Sequence, residues 1–106
     1  TAARVLALAL RLLRAGTLAA DIAWAASRLA KLLPLLTRVR DELSRSILEV
    51  VALKGPLNIS ELTEELRRYR GSASRRIVSS RVSRLAEEGL LRVDVKGREK
   101  VVDLSP

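Results

Sequence analysis

Leucine and alanine dominate residues 2–33. The polar positions that interrupt them, Arg4, Arg11, Arg14, Thr17, Asp21, Arg28 and Lys31, recur at spacings of three, four and seven. That period is helical, and the polar stripe it leaves is narrow, so the segment is expected to hide most of its circumference. Gly16-Thr17 either divides it into two helices, with Thr17 as N-cap of the second, or sits inside one continuous helix, since the stripe keeps its phase across Gly16. Charge interrupts residues 1–40 too often for a membrane span, which needs about 20 mostly apolar residues.

Pro34 marks a break or a first-turn position. Leu36, Val39, Leu43, Ile47, Leu48, Val50 and Val51 then supply a further apolar helical face that ends near Lys54-Gly55-Pro56. Leu57-Asn58-Ile59 is short and apolar and can add a strand to a small sheet. Ser60 is expected to cap the helix opened by Glu61, with Leu62 and Leu66 facing inward. Arg70-Gly71-Ser72-Ala73-Ser74 reads as a turn, with Ser72 or Ser74 as the next cap, and a second helix runs from about Arg75 to Glu88 before Gly89 stops it. From Leu90 the period becomes two: Leu91, Val93 and Val95 share one strand face and Val102 and Leu104 the matching face of the next. A type II′ turn at Gly97-Arg98 sets Val93 opposite Val102 and Leu91 opposite Leu104, whereas a turn at Lys96-Gly97 leaves Val93 opposite Lys100. No internal repeat and no low-complexity linker is present.

Helix, turn, helix and basic hairpin in that order predict a winged helix-turn-helix: mainly α with a small β-wing, over residues 41–106. Residues 1–40 form an N-terminal apolar helical segment suited to dimerisation. At 100° per residue, Val78, Val82 and Leu85 form the buried stripe of the second helix, and Arg76, Ser80, Ser83 and Glu87 lie opposite, flanked by Ser79 and Arg84. Small hydroxyl residues let such a helix approach a duplex closely, while Arg reaches guanine O6 and N7 in the major groove. Glu87 lies late enough to fall outside the groove.

Charge sharpens this picture. The chain carries a formal net charge of +8, which favours a polyanionic partner. Residues 67–100 hold eleven Lys/Arg against four Asp/Glu, whereas residues 41–66 hold two against six. The base-reading set is therefore Ser74, Arg75, Arg76, Ser79, Ser80, Ser83 and Arg84. Arg92, Lys96, Arg98 and Lys100 of the hairpin are phosphate or minor-groove contacts, and Arg67, Arg68, Arg70 and Ser72 are further phosphate candidates. Each has a competing reading: an Arg/Ser helix face as a solvated surface, hairpin cations as guards of a sheet edge, and Arg67, Arg68 and Arg70 as cations that offset a helix dipole. Arg81 lies toward the buried side and is expected to pair with an acid such as Glu61, Glu64 or Glu65. Trp24, on the polar side near Asp21 and Arg28, suits packing, a dimer contact or ligand stacking.

Composition excludes other chemistry. With no Cys and no His, there is no disulfide framework, no thiol or imidazole catalysis and no usual zinc site. The pairs Glu64-Glu65 and Glu87-Glu88 diverge by 100° on a helix and do not converge on a substrate. One Trp, one Tyr and no Phe leave too few aromatic platforms for single-stranded bases. Absence of Gln as well as Cys and Met, with a single Asn (Asn58) and more Arg than Lys, fits an archaeal or thermophilic source. No export signal is recognisable, so a cytoplasmic, nucleoid-associated location is expected.

The run from Arg76 to Leu91, in which Leu85, Gly89, Leu90 and Leu91 fit the pattern Leu-x-x-x-Gly-Leu-hydrophobic, resembles the recognition-helix-to-wing passage of MarR/PadR/ArsR-like winged-helix transcriptional regulators. Ser60-Glu61-Leu62 matches the start of the first helix of the pair, and the similarity covers about residues 41–104. The resemblance implies a homodimer on a pseudo-palindromic double-stranded DNA site, a role that in this chain falls to residues 1–40. The expected function is a sequence-specific transcriptional regulator, not an enzyme and without a cofactor; any small-molecule effector is left open. Alternatives are a winged-helix protein-interaction module of a transcription, replication or segregation assembly, and a non-specific chromosomal DNA-binding protein.

Overall fold

The computed structural model describes residues 19–106 together with Ala3, Arg4, Leu6, Ala7, Leu10 and Arg11, which are helical. In chain order the continuous part is α1 (Ala19–Leu36), α2 (Glu42–Lys54), β1 (Leu57–Asn58), α3 (Ile59–Arg70), α4 (Arg75–Glu87), β2 (Leu91–Lys96) and β3 (Glu99–Leu104). These described residues are mainly helical with a small antiparallel sheet in the order β1-β3-β2. The question of one or two helices around Gly16-Thr17, and the expected cap at Thr17, lie outside the described residues. No helix among the described residues is long and apolar enough to cross a membrane.

The hairpin adopts the register that alternation demands, with Leu91 opposite Leu104, Val93 opposite Val102 and Lys96 opposite Glu99. Gly97 turns the chain at φ +63°, and no other residue type has positive φ among the described residues. Arg98 therefore keeps an ordinary φ, as a type II′ turn requires. β1 adds the third strand, Leu57 opposite Val102. The core joins Leu32 of α1, Ile47, Leu48 and Val51 of α2, Leu62 and Leu66 of α3, Val78, Val82 and Leu85 of α4, Leu90 just before β2, and Val102 and Leu104 of β3, all buried.

Three local expectations are corrected. Pro34 neither breaks a helix nor starts one: it lies inside α1, on the exposed side of its last turns, where water can satisfy the carbonyl its missing N–H abandons. The break comes at residues 37–41, after Thr37 Oγ1 donates to the Pro34 carbonyl at 2.7 Å. The cap of α3 is Asn58, not Ser60. Its side chain accepts from the Glu61 N–H at 2.8 Å while the Glu61 carboxylate accepts from the Asn58 N–H at 3.0 Å, a reciprocal capping box. A cap needs extended backbone, which Asn58 has as the last residue of β1, so Ser60 falls one residue inside the first turn.

The third correction concerns the N-terminal polar stripe. Arg28 is buried and donates to the Val51 carbonyl at 2.6 Å and the Ala52 carbonyl at 3.2 Å, and it pairs with Asp103 of β3 at 2.9 Å. It occupies the C-terminal end of α2, where orphan carbonyls and the helix dipole both favour a cation. Arg4 likewise turns inward, pairing with Glu49 at 2.8 Å, a carboxylate that is buried in α2 and also accepts from the Tyr69 hydroxyl at 2.9 Å. Burial and that hydrogen bond raise the Tyr69 phenol above its ordinary pKa. With two stripe arginines facing inward, Leu6, Leu10, Ile22, Trp24 and Leu33 are left exposed.

Candidate nucleic-acid interface

α4 presents the division its sequence implies. Val78, Val82 and Leu85 are buried, and Arg75, Arg76, Ser80, Ser83, Arg84 and Glu87 are exposed, with Ser79 half-buried. Ser72 and Ser74 are exposed in the turn before it. Ser74 takes the N-cap position, but its side chain makes no capping hydrogen bond. Helix α4 stops after Glu87, and Gly89 turns the chain at φ +78° into β2.

The hairpin stands beside the first turns of α4. A cleft of about 310 Å³ opens between them, lined by Asn58, Ile59 and Ser60 at the start of α3, Arg75 and Ser79 of α4, and Arg98, Glu99 and Lys100 of the hairpin. Strand alternation divides the hairpin cations by face. The register places Lys100 on the side of Val93, Val95 and Val102, and Arg92 and Lys96 on the side of Asp94 and Asp103. Arg98 sits in the turn.

Ion pairing separates the cations further. Arg92 lies 3.3 Å from Asp94 and 3.9 Å from Asp103; Arg84 pairs with Glu88 at 3.3 Å, and Arg68 with Glu65 at 2.9 Å. Arg67 donates to the Ala73 carbonyl at 3.0 Å, bracing the turn before α4, and Arg70 is exposed beside that turn. By contrast, among the described residues Arg75, Arg76, Lys96, Arg98 and Lys100 have no carboxylate within ion-pair distance. Among the described residues Arg11, Lys31, Arg38, Arg40, Arg45, Arg67 and Arg70 also lack such a partner; Arg75, Arg76, Lys96, Arg98 and Lys100 are the ones that lie on the first turn of α4 and at the tip of the hairpin.

Arg81 finds its partner on α2, not on α3 as expected: it pairs with Asp41 and donates to Ser44 Oγ at 3.1 Å. The α3 acids have other roles, Glu61 in the capping box and Glu65 with Arg68. Burial tends to raise the Asp41 carboxyl, but hydrogen bonds from the Ser44 N–H and hydroxyl and the charge of Arg81 outweigh it and hold the group below its ordinary pKa.

Three features of this face were not read from the sequence. Ser60 lines the cleft, next to the capping residue Asn58. Arg38 donates to the Glu88 carbonyl at 2.9 Å and, with Arg40, lines a second cleft against Arg84. Ile77, a β-branched residue in the first turn of α4, is 55% exposed. Arg40 and Ile77 do carry sequence signals, as a cation next to a cap and as an aliphatic residue off the 3–4 spacing of the buried stripe. Elsewhere, the Arg28 guanidinium lies 5.7 Å from the Trp24 ring centroid, a cation–π contact that accounts for the amphipathic position of Trp24. Among the described residues no group of three or more acidic side chains is placed to hold a metal ion. Comparisons with family models, with curated proteins and with solved structures return no match for this chain.

Proposed function

We propose that this chain is a winged helix-turn-helix regulator that binds double-stranded DNA in a sequence-specific manner as a homodimer. The observation that carries this reading is the group of cations on the first turn of α4 and the hairpin that have no carboxylate partner among the described residues, Arg75, Arg76, Lys96, Arg98 and Lys100, of which Arg75, Arg98 and Lys100 line the α4–hairpin cleft together with Glu99. A helix fits the major groove with its N-terminal residues at base edges, and an adjoining basic hairpin reaches the neighbouring backbone. Arg76, Ser79, Ser80 and Ser83 then read bases, with Ser74, Arg75 and Arg84 at the margins. Lys96, Arg98 and Lys100 hold phosphates. Arg67, Arg68 and Arg92, already engaged within the chain, contribute less.

Homodimerisation through residues 1–40 is supported by the second apolar face of α1. Ile22, Ala26, Leu29 and Leu33 follow one another at spacings of four, three and four, the seam of a helix pair. Ile22, Ala26 and Leu33 are exposed and Leu29 half-buried, while Ala25, Leu32, Leu35 and Leu36 of the same helix serve the core.

Binding of labelled random duplex across salt concentrations, followed by selection of bound sites from a random pool, tests the reading. The three phosphate-holding cations of each protomer, Lys96, Arg98 and Lys100, predict a slope of log affinity against log salt of about −3 per protomer. Arg76→Ala is expected to cost about 1–3 kcal/mol on the selected site and to relax preference at one base position. Failure to bind duplex at low salt overturns the proposal and favours a protein-interaction role; binding without sequence preference favours a chromosomal one.

A further inference from the structure

Within residues 41–106 two large apolar side chains are exposed, Ile77 at 55% and Val95 at 70%, and Ile77 stands on α4 itself. It is the third residue of that helix, turned about 100° from buried Val78, so it occupies the border between the core stripe and the outward face of Arg76 and Ser80. A β-branched residue is a poor choice for helix propensity alone. Ile77 also adds little to the core; it forms one wall of a recess of about 520 Å³ with Leu43, Ala73 and Val78, and Arg70 stands at the same recess. Apolar surface is therefore presented at the leading turn of α4, bordered by cations.

Resting on the DNA-binding reading above, we propose that Ile77 is a specificity residue that reads thymine through its C5 methyl group. Charge complementarity selects the occupant. Arg70 lines the recess with Ile77, Arg76 precedes it on the helix, and Arg81 and Arg84 follow one and two turns on along the same side; Arg81 and Arg84 have carboxylate partners in the described residues, and Arg70 and Arg76 have none. A polyanion meeting this edge brings one kind of apolar group to the major-groove surface, the methyl of thymine. Arg76 fixes the depth of α4 through a guanine edge or a phosphate, and the Ile77 side chain then closes over a methyl at the adjoining base pair. Water leaves both apolar surfaces.

The test uses the full chain and the duplex selected from the random pool. Each thymine is replaced singly by deoxyuridine, which removes the methyl and keeps every hydrogen-bonding group. Loss of one buried methyl is expected to weaken binding about fourfold at one position in each half-site, with no effect at the other thymines. Ile77→Ala is expected to lose the same factor on the thymine duplex and to bind the deoxyuridine duplex as it binds thymine, while Ile77→Val keeps most of the discrimination. Ile77 is exposed, so both variants should retain the wild-type circular dichroism spectrum and melting temperature. The proposal is overturned by a selected site with no methyl-sensitive thymine, or by methyl sensitivity that survives unchanged in Ile77→Ala. Absence of duplex binding by the wild-type chain overturns the DNA-binding reading itself, and this contact with it.

Discussion

Asp41 joins three structural roles at one position. It caps α2 by accepting from the Ser44 N–H at 3.0 Å, pairs with Arg81 of α4, and so fixes the turn between α1 and α2 to the helix that carries the candidate interface. Asp41→Ala is expected to cost about 1–2 kcal/mol by chemical denaturation, the usual penalty for a lost cap. Asp41→Asn keeps the cap and should cost less. Because folding depresses the Asp41 pKa, its stabilisation is fully present above the unfolded value, about 3.9, and is lost as pH falls through the folded value. The stability difference between wild type and Asp41→Asn should therefore shrink below about pH 4; a difference constant from pH 7 to pH 3 would remove Asp41 as the titrating group. Arg28 and Asp103 make a buried pair, with 8% and 17% of their side chains exposed. Replacing Asp103 by Ala leaves the Arg28 cation with two carbonyls and no counter-charge, and is expected to cost about 3 kcal/mol, measured as a shift of the urea midpoint. Neither ion pair is recoverable from spacing, because each joins residues of separate elements.

At the scale of elements, local signals carried most of the fold. The hairpin register followed from alternation and one glycine, since a slip of one residue would send Leu91, Val93 and Val102 to the solvent face. The buried stripe of α4 and its glycine stop were equally legible. Capping was less so: Asn58, Ser60 and Glu61 are all polar first-turn residues, and the choice among them was made by β1, whose pairing with β3 holds Asn58 extended. Asn58→Ala should destabilise the protein by about 1 kcal/mol, whereas Ser60→Ala should leave the melting temperature within error. A thermal scan of both variants separates the two capping schemes. If Ser60→Ala is the more damaging, the capping box is wrong.

For the molecule as a whole, the N-terminal helical residues show where pattern reading stops. Their polar stripe was legible, but not its direction: Arg4 and Arg28 turn toward the body, and the apolar side of α1 is divided between the core and the exposed line of Ile22, Ala26, Leu29 and Leu33. If that line is the dimer seam, Leu33→Glu should shift the chain toward monomer by at least tenfold in dissociation constant, measured by sedimentation equilibrium, with the circular dichroism spectrum unchanged. It should also weaken binding to a two-half-site duplex more than to a single half-site. An oligomeric state indifferent to Leu33→Glu would move the interface elsewhere.

Sequence alone determined the succession of helices and strands, the hairpin turn, the stripe of α4 that is buried and the location of the excess positive charge. Each of these is set by interactions within one element or its immediate neighbour, where period and turn chemistry act directly. Tertiary structure decided which cations meet acids of other elements, because Arg4, Arg28 and Arg81 find theirs only after distant elements pack together, whereas Arg68, Arg84 and Arg92 pair within one element. It likewise decided that Asn58 caps α3, that Ser60 lines the cleft, and that Ile77 faces outward at the rim of the candidate interface. Charge compensation and exposure are properties of surfaces in space, and a linear order of residues specifies them only through the fold.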